Sequence, residues 1–195
     1  MTIATFLDTF IFDLDGTLIE LNLDFEEIRR ALGIKNKYIL ESILKFKDEE
    51  RRRKLEVLKE FEIRAALNAK LTPHAKEVLD MLEELGLKKG VVTRNCRESV
   101  EIVMERFGLN FDFVITREDA KPKPSPEPIL LALKMAKSKP ERAVVVGDYV
   151  FDLIAGRKAG TKTALLLNGR NREFAKMADF VLRSLKEIEN LITGI

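Results

Sequence analysis

From residue 73 to the C-terminus, short β-rich stretches alternate with stretches of helical period, and this alternation constrains the fold most. A chain built that way pairs its strands in parallel and covers both sheet faces with helices. The pattern predicts strands at 90–93, 111–115, 143–148, 163–167 and 179–182, after a first strand at 9–14. Helices are expected at 73–85, 95–107, 127–137 and 151–159, with one more at the end. Thr72 and Pro73 have the chemistry of an N-cap and first helical residue. Asn95 and Glu98 have the spacing of a capping box.

One block interrupts the alternation. Residues 20–72 contain no β-rich segment, and Leu55, Leu58, Phe61, Ile63 and Leu67 recur at three- and four-residue steps, as on an amphipathic helix. The expected fold class is α/β: a Rossmann-like parallel sheet with helices on both faces and a small inserted helical cap. Residues 1–19 and 73–195 form the expected core, and 20–72 the cap. A length of 195 residues suits this organisation.

Several classes are excluded. No apolar run approaches the roughly 20 residues needed to span a bilayer. The N-terminal stretch MTIATFLDTFIFDLDG lacks a basic start and a small-residue cleavage site, so it reads as a buried strand and not a signal peptide. A cytoplasmic protein without a membrane partner is expected. The single cysteine, Cys96, cannot form an intrachain disulfide, and no Cys/His cluster has zinc spacing. A formal net charge of +2 predicts no nucleic-acid partner.

Four short pieces carry chemistry: DLDGT at 13–17, Thr93, the KPKP loop at 121–124 and GDYVFD at 147–152. Three of them follow expected strands, and ligands of open parallel sheets bind outside the strands' carboxyl ends. Asp13 and Asp15 lie two residues apart and repel each other unless a cation intervenes. Magnesium suits such oxygen donors, taking few protein ligands together with waters and phosphate oxygens. Asp148 is the expected third carboxylate, so Asp13, Asp15 and Asp148 form the expected Mg²⁺ site. A phosphate held there needs positive charge on its far oxygens. Lys121 and Lys123 offer it from a loop stiffened by prolines. Thr93 offers a hydroxyl beside a helix N-terminus near Asn95, itself an anion site.

These pieces, in this order, resemble the haloacid dehalogenase superfamily, specifically its phosphatases with a helical cap such as phosphoglycolate phosphatase-like enzymes. The first motif matches Asp13-Leu14-Asp15-Gly16-Thr17, the second Thr93, and the fourth Gly147-Asp148 with Asp152. The third is a Lys-Pro pair, and the run from Lys123 to Ile129 matches the family's loop better than Lys121 does. Tyr149 stands where relatives often carry Ser, and Arg94 where they often carry Asn, with Asn95 next. Thr93, Arg94 and Asn95 are the expected substrate-binding group.

The resemblance implies a covalent mechanism. Asp13 is the expected nucleophile, Asp15 the acid that protonates a leaving alkoxide, and Lys123 the cation on the phosphoryl group. Asp152 supports the metal shell or orients the lysine. A halide leaves without a proton, so the presence of Asp15 favours phosphate esters over dehalogenation. The expected substrate is a small-molecule phosphate ester. A sugar-phosphate mutase is the alternative, and it needs a cap that excludes water. A non-catalytic binding module would not need Asp13 and Asp15. His74 reads as a surface or capping residue, Cys96 as incidental, and Arg51 to Lys54 as a solvated helix face. A monomer or homodimer is expected. Charged residues make up 34% of the chain, and Gln and Trp are absent, a hyperthermophile-like pattern.

Overall fold

The computed structural model describes residues 6–20 and 22–193. Residues 1–5 of the expected N-terminal strand segment, and Leu21 of the insert, lie outside the described residues. The first strand, β1, runs Thr9–Phe12, and helices α1 (Phe25–Leu32), α2 (Ile39–Lys45), α3 (Asp48–Leu67) and α4 (Ala75–Glu84) follow it. The chain then alternates: β2 (Lys88–Val92), α5 (Arg97–Phe107), β3 (Phe113–Ile115), α6 (Glu127–Ala136), β4 (Ala143–Gly147), α7 (Val150–Ala159), β5 (Lys162–Leu166), β6 (Phe180–Leu182) and α8 (Ile188–Thr193).

The six strands form one parallel sheet in the order β3-β2-β1-β4-β5-β6. The sequence explains that placement. TFIF in β1 and AVVVG in β4 are buried at every position, as strands covered on both faces must be. One face packs Val78, Leu79 and Leu82 of α4 with Val100 and Val103 of α5. The other packs Ile129 and Leu133 of α6 with Ala155 and Ala159 of α7. The chain runs outward from β1 to β3, then returns to β4 and runs the opposite way. The topological switch point therefore lies between β1 and β4, where a ligand crevice opens at the carboxyl ends.

Register puts the motifs at that edge. Phe12 pairs with Val91 on one side and Val146 on the other, so Asp13, Thr93 and Asp148 emerge together. β1 stops two residues short of the expected 14. Asp13 N–H still reaches the Val146 carbonyl at 2.9 Å, and the chain then turns at Gly16, whose φ is +79°.

Helices α1 to α3 pack on an apolar cluster of their own, including Ile28, Leu32, Ile39, Ile43 and Leu58. Leu67, expected on the apolar face of α3, is exposed, and the buried face near that end carries Glu62, Ala65 and Ala66. Two expected helix starts are corrected. Thr72 does not cap α4, which starts at Ala75 with no side-chain cap; the Thr72 N–H bonds the Leu18 carbonyl at 3.0 Å and ties it to the returning chain. His74 takes the N-cap position and its Nδ1 lies 2.8 Å from Glu77 Oε2. Asn95 and Glu98 form no capping box either. Helix α5 starts two residues later, and Glu98 pairs instead with Lys59 of α3 at 2.7 Å.

Candidate active site

Two glycines let the carboxylates converge. A Cβ on Gly16 would collide with the Asp148 carboxylate, and Gly16 also holds a positive φ that other residues avoid. A Cβ on Gly147 would collide with the Asp152 carboxyl, which folds back beneath the end of β4. The result is a cluster in which carboxylate oxygens of Asp13, Asp148 and Asp152 lie within 4.8 Å of one another.

Lys123 is the cation among them. Its Nζ donates to Asp13 Oδ1 at 2.7 Å and to the Val92 carbonyl at 2.6 Å, and pairs with Asp152 Oδ1 at 2.6 Å. Only 2% of Lys123 is exposed, so all three of its donors are satisfied inside the protein. Asp152 is fixed further by the Tyr149 N–H at 3.1 Å. Lys121 is exposed and does not reach the cluster; its N–H meets Glu127 at 3.4 Å.

Asp15 stands apart from this group. Its side chain is not in the three-carboxylate cluster, which sets Asp152 beside the expected Asp13 and Asp148. Instead Asn95 Nδ2 donates to Asp15 Oδ2 at 2.5 Å. Asn95, expected on the substrate phosphate, thus spends its amide on an aspartate. Thr93 is buried, and its hydroxyl oxygen accepts the Asn95 N–H at 3.2 Å. Arg94 links the Lys123 loop to α2 and α7. Its guanidinium donates to the Lys123 carbonyl at 2.5 Å, pairs with Glu41 of α2 at 2.7 Å and covers the Phe151 ring at 4.9 Å. The helix N-terminus near Asn95 is likewise occupied, because Cys96 N–H donates to Glu62 Oε2 at 2.9 Å.

Crowding of negative charge shapes the titration of the site. Burial, with Asp13 and Asp152 nearby, pushes Asp148 up from 3.8 to about 8. Burial, then the Asp13 charge, pushes Asp15 up to about 7, although the Asn95 hydrogen bond opposes this. Asp13 rises less, to about 6, because the Lys123 charge offsets part of the burial penalty. Burial alone would lower the Lys123 ammonium, but the charges of Asp13 and Asp152 hold it above its ordinary value. All three carboxyls are thus raised together by burial and by one another, and carboxylates perturbed in this way cluster at functional sites.

The ordered motifs, their shared sheet edge and this charge pattern agree with a match over residues 10–166 to the family described as haloacid dehalogenase-like hydrolase. The chain belongs to the haloacid dehalogenase-like hydrolase family. Pyrophosphatase PpaX from Bacillus cereus (strain G9842) is 31% identical over 211 residues, covering 97% of this chain and 98% of that protein. Phosphoglycolate phosphatase from Aquifex aeolicus (strain VF5) is 30% identical, covering 93% and 95%. A hydrolase from Pseudomonas syringae superposes with a TM-score of 0.82 at 25% identity, covering 96% of this chain and 99% of its own. CbbY from Rhodobacter sphaeroides, in complex with phosphate, gives 0.73 at 24% identity over 93% and 96%, a likeness of fold.

In this haloacid dehalogenase-like hydrolase the donor set suits a hard divalent cation. Lys123 and Tyr149 engage Asp152, and Asn168 Nδ2 holds Asp148 Oδ2 at 2.9 Å. Asp13 and Asp148 keep one oxygen each for a metal that retains several waters. Asn168 and Asn171 are partners that sequence reasoning missed. Asn171 Nδ2 donates to the carbonyls of Asp148 at 2.7 Å and Leu166 at 2.8 Å, tying the end of β5 to the metal side. Their signal was position: both follow a β-rich run, as the other site residues do. Glu62, Arg117 and Glu41 carried no such signal. No described helix is long and apolar enough to cross a membrane.

Proposed function

We propose that the protein is a magnesium-dependent phosphatase of small phosphate monoesters, working through an aspartyl phosphate on Asp13. The observation that supports this most is the division of the carboxylates. Asp13 is held by Lys123 beside Asp148, while Asp15 is held separately by Asn95. A bound magnesium, held by Asp13 and Asp148, would supply positive charge to the phosphoryl oxygens. Asp13 forms a bond to phosphorus as the ester P–O bond breaks, and Asp15 gives its proton to the departing oxygen. Asp15 then takes a proton from water, whose oxygen attacks phosphorus and releases Asp13 and inorganic phosphate. Lys123 keeps Asp13 ionised and aimed, and Asp152 keeps Lys123 in place. Thr93, Arg94 and Asn95 line the same edge as the substrate-binding segment.

Helices α1 to α3 act as the cap. Contacts with the core support this: Glu41 of α2 pairs with Arg94, and the Tyr38 ring at the start of α2 lies 5.6 Å from that of Phe151 on α7. Relatives named as a pyrophosphatase and a phosphoglycolate phosphatase support a small phosphorylated substrate. The test is hydrolysis of p-nitrophenyl phosphate with and without magnesium, using Asp13→Asn as the control. Turnover equal in the variant and the wild type would refute the role of Asp13 and with it the proposal.

A further inference from the structure

Glu62 lies in the C-terminal part of α3, between Phe61 and Ile63, and is only 3% exposed although it carries a charge. Its carboxylate makes three bonds to the core. Arg117 Nη1 donates to Oε1 at 2.5 Å and Oε2 at 2.6 Å, and Cys96 N–H donates to Oε2 at 2.9 Å. Arg117 in turn grips the neighbouring backbone: its Nη1 meets the Arg94 carbonyl at 3.2 Å, and its N–H the Asn95 carbonyl at 3.3 Å. The ion pair between insert and core thus holds the segment at Arg94 and Cys96, on either side of Asn95, whose carbonyl takes the Arg117 backbone N–H.

We propose that Glu62 is a positioning residue for Asp15, so that the geometry of the acid depends on how the insert is seated. The path is short. The Glu62 and Arg117 side chains fix the backbone at Cys96 and Arg94, the two neighbours of Asn95, and the Asn95 amide fixes Asp15 Oδ2 at 2.5 Å. The inference rests on the phosphatase reading of the same site. Stability alone is a poor reason for this pair, since a buried ion pair often gains nothing over apolar residues of similar volume. Side chains that orient catalytic groups repay such a cost, because a displacement of about 1 Å can lose about a hundredfold in rate. The insert also meets the core elsewhere: Ala66 of α3 joins the apolar cluster of Val100 and Val103 on α5. Lys59–Glu98 is a half-exposed pair, and Arg106 donates to the Ala66 carbonyl at 2.6 Å, one turn beyond Glu62.

The test compares two phosphate esters. p-Nitrophenyl phosphate has a leaving group that needs no proton; glycerol 2-phosphate has an alkoxide that does. Glu62→Ala lowers kcat/KM on glycerol 2-phosphate by about thirtyfold and on p-nitrophenyl phosphate by less than about fivefold, a split expected when the acid alone is displaced. Glu62→Gln keeps an acceptor for Cys96 N–H and shows a smaller split. Glu62→Met combined with Arg117→Leu leaves no buried charge unpaired, so it folds, and it shows the same split as Glu62→Ala. Equal losses on both esters, or a wild-type ratio in the folded double variant, overturn the inference while the phosphatase reading stands. A wild-type protein that cleaves neither ester with magnesium removes both.

Discussion

Asn95 Nδ2 donates to Asp15 Oδ2 at 2.5 Å across 80 residues of sequence. This bond orients the carboxyl that burial and Asp13 push up to about 7. An acid with that value is protonated in a large share of molecules at neutral pH, as proton donation to a leaving oxygen requires.

Asp15→Asn removes the proton donor and preserves shape. Cleavage of p-nitrophenyl phosphate therefore survives within about tenfold, while alkyl phosphates lose about a hundredfold or more. Steady-state kinetics on both ester types measure the ratio. Losses of the same size on both would assign Asp15 some other role.

The two lysines of the KPKP loop predict unequal effects. Lys123 meets Asp13, Asp152 and the Val92 carbonyl, whereas Lys121 is exposed. Lys123→Ala lowers kcat/KM by at least about a hundredfold, about 2.7 kcal/mol of transition-state stabilisation. Lys121→Ala changes it by less than about tenfold. Kinetics of both variants on one ester check this, and the reverse ranking would move the role to Lys121.

The sheet edge is legible in the sequence because β-rich runs mark where strands end, and Asp13, Thr93 and Asp148 each follow one. The partners that complete the edge are less legible. Asn95 and Glu98 have the spacing of a local cap, but the helix starts two residues later, Asn95 donates its amide N–H to Asp15, and Glu98 pairs with Lys59. Glu62 looks like one more solvated residue in a Lys/Glu-rich helix. Only the approach of Arg117, 55 residues away, makes its burial tolerable, and no local pattern encodes that approach. Asn168 and Asn171 follow a β-rich run but fall in a polar, glycine-containing stretch like any turn, and the order of strands then brings them to Asp148.

High thermal stability is the expectation from composition. The surface carries many ion pairs, among them Arg97–Asp119 at 2.7 Å and Lys88–Asp112 at 2.7 Å, which favour stability more at high temperature than at 25 °C. The predicted melting midpoint exceeds about 80 °C, above the roughly 45–65 °C typical of mesophile domains. A calorimetric midpoint inside that lower range would reduce the composition to a Lys/Glu bias.

The carboxylate cluster also predicts how metal and pH act on folding. Asp13, Asp15 and Asp148 rise from 3.8 to about 6, 7 and 8, so the folded chain binds their protons more tightly than the unfolded chain does. The stability this contributes is fully present below the unfolded value of about 4 and is lost as pH rises through the folded values, between about pH 4 and 8. Metal-free protein is therefore less stable at pH 8 than at pH 5.5, so far as this cluster governs. A divalent cation binds the ionised carboxylates, so its affinity increases over the same window. At a free magnesium concentration about a hundred times its Kd, binding stabilises by about 2.7 kcal/mol, or roughly 5–10 °C in a domain of this size. The expected result is a magnesium-induced rise of that order at pH 8 and a much smaller one at pH 5.5. Asp148→Asn removes most of the difference, because it deletes the carboxyl with the largest upward shift. Thermal scans with chelator and with magnesium at the two pH values make the comparison. An equal magnesium effect at both, or one unchanged in Asp148→Asn, would place the cation elsewhere.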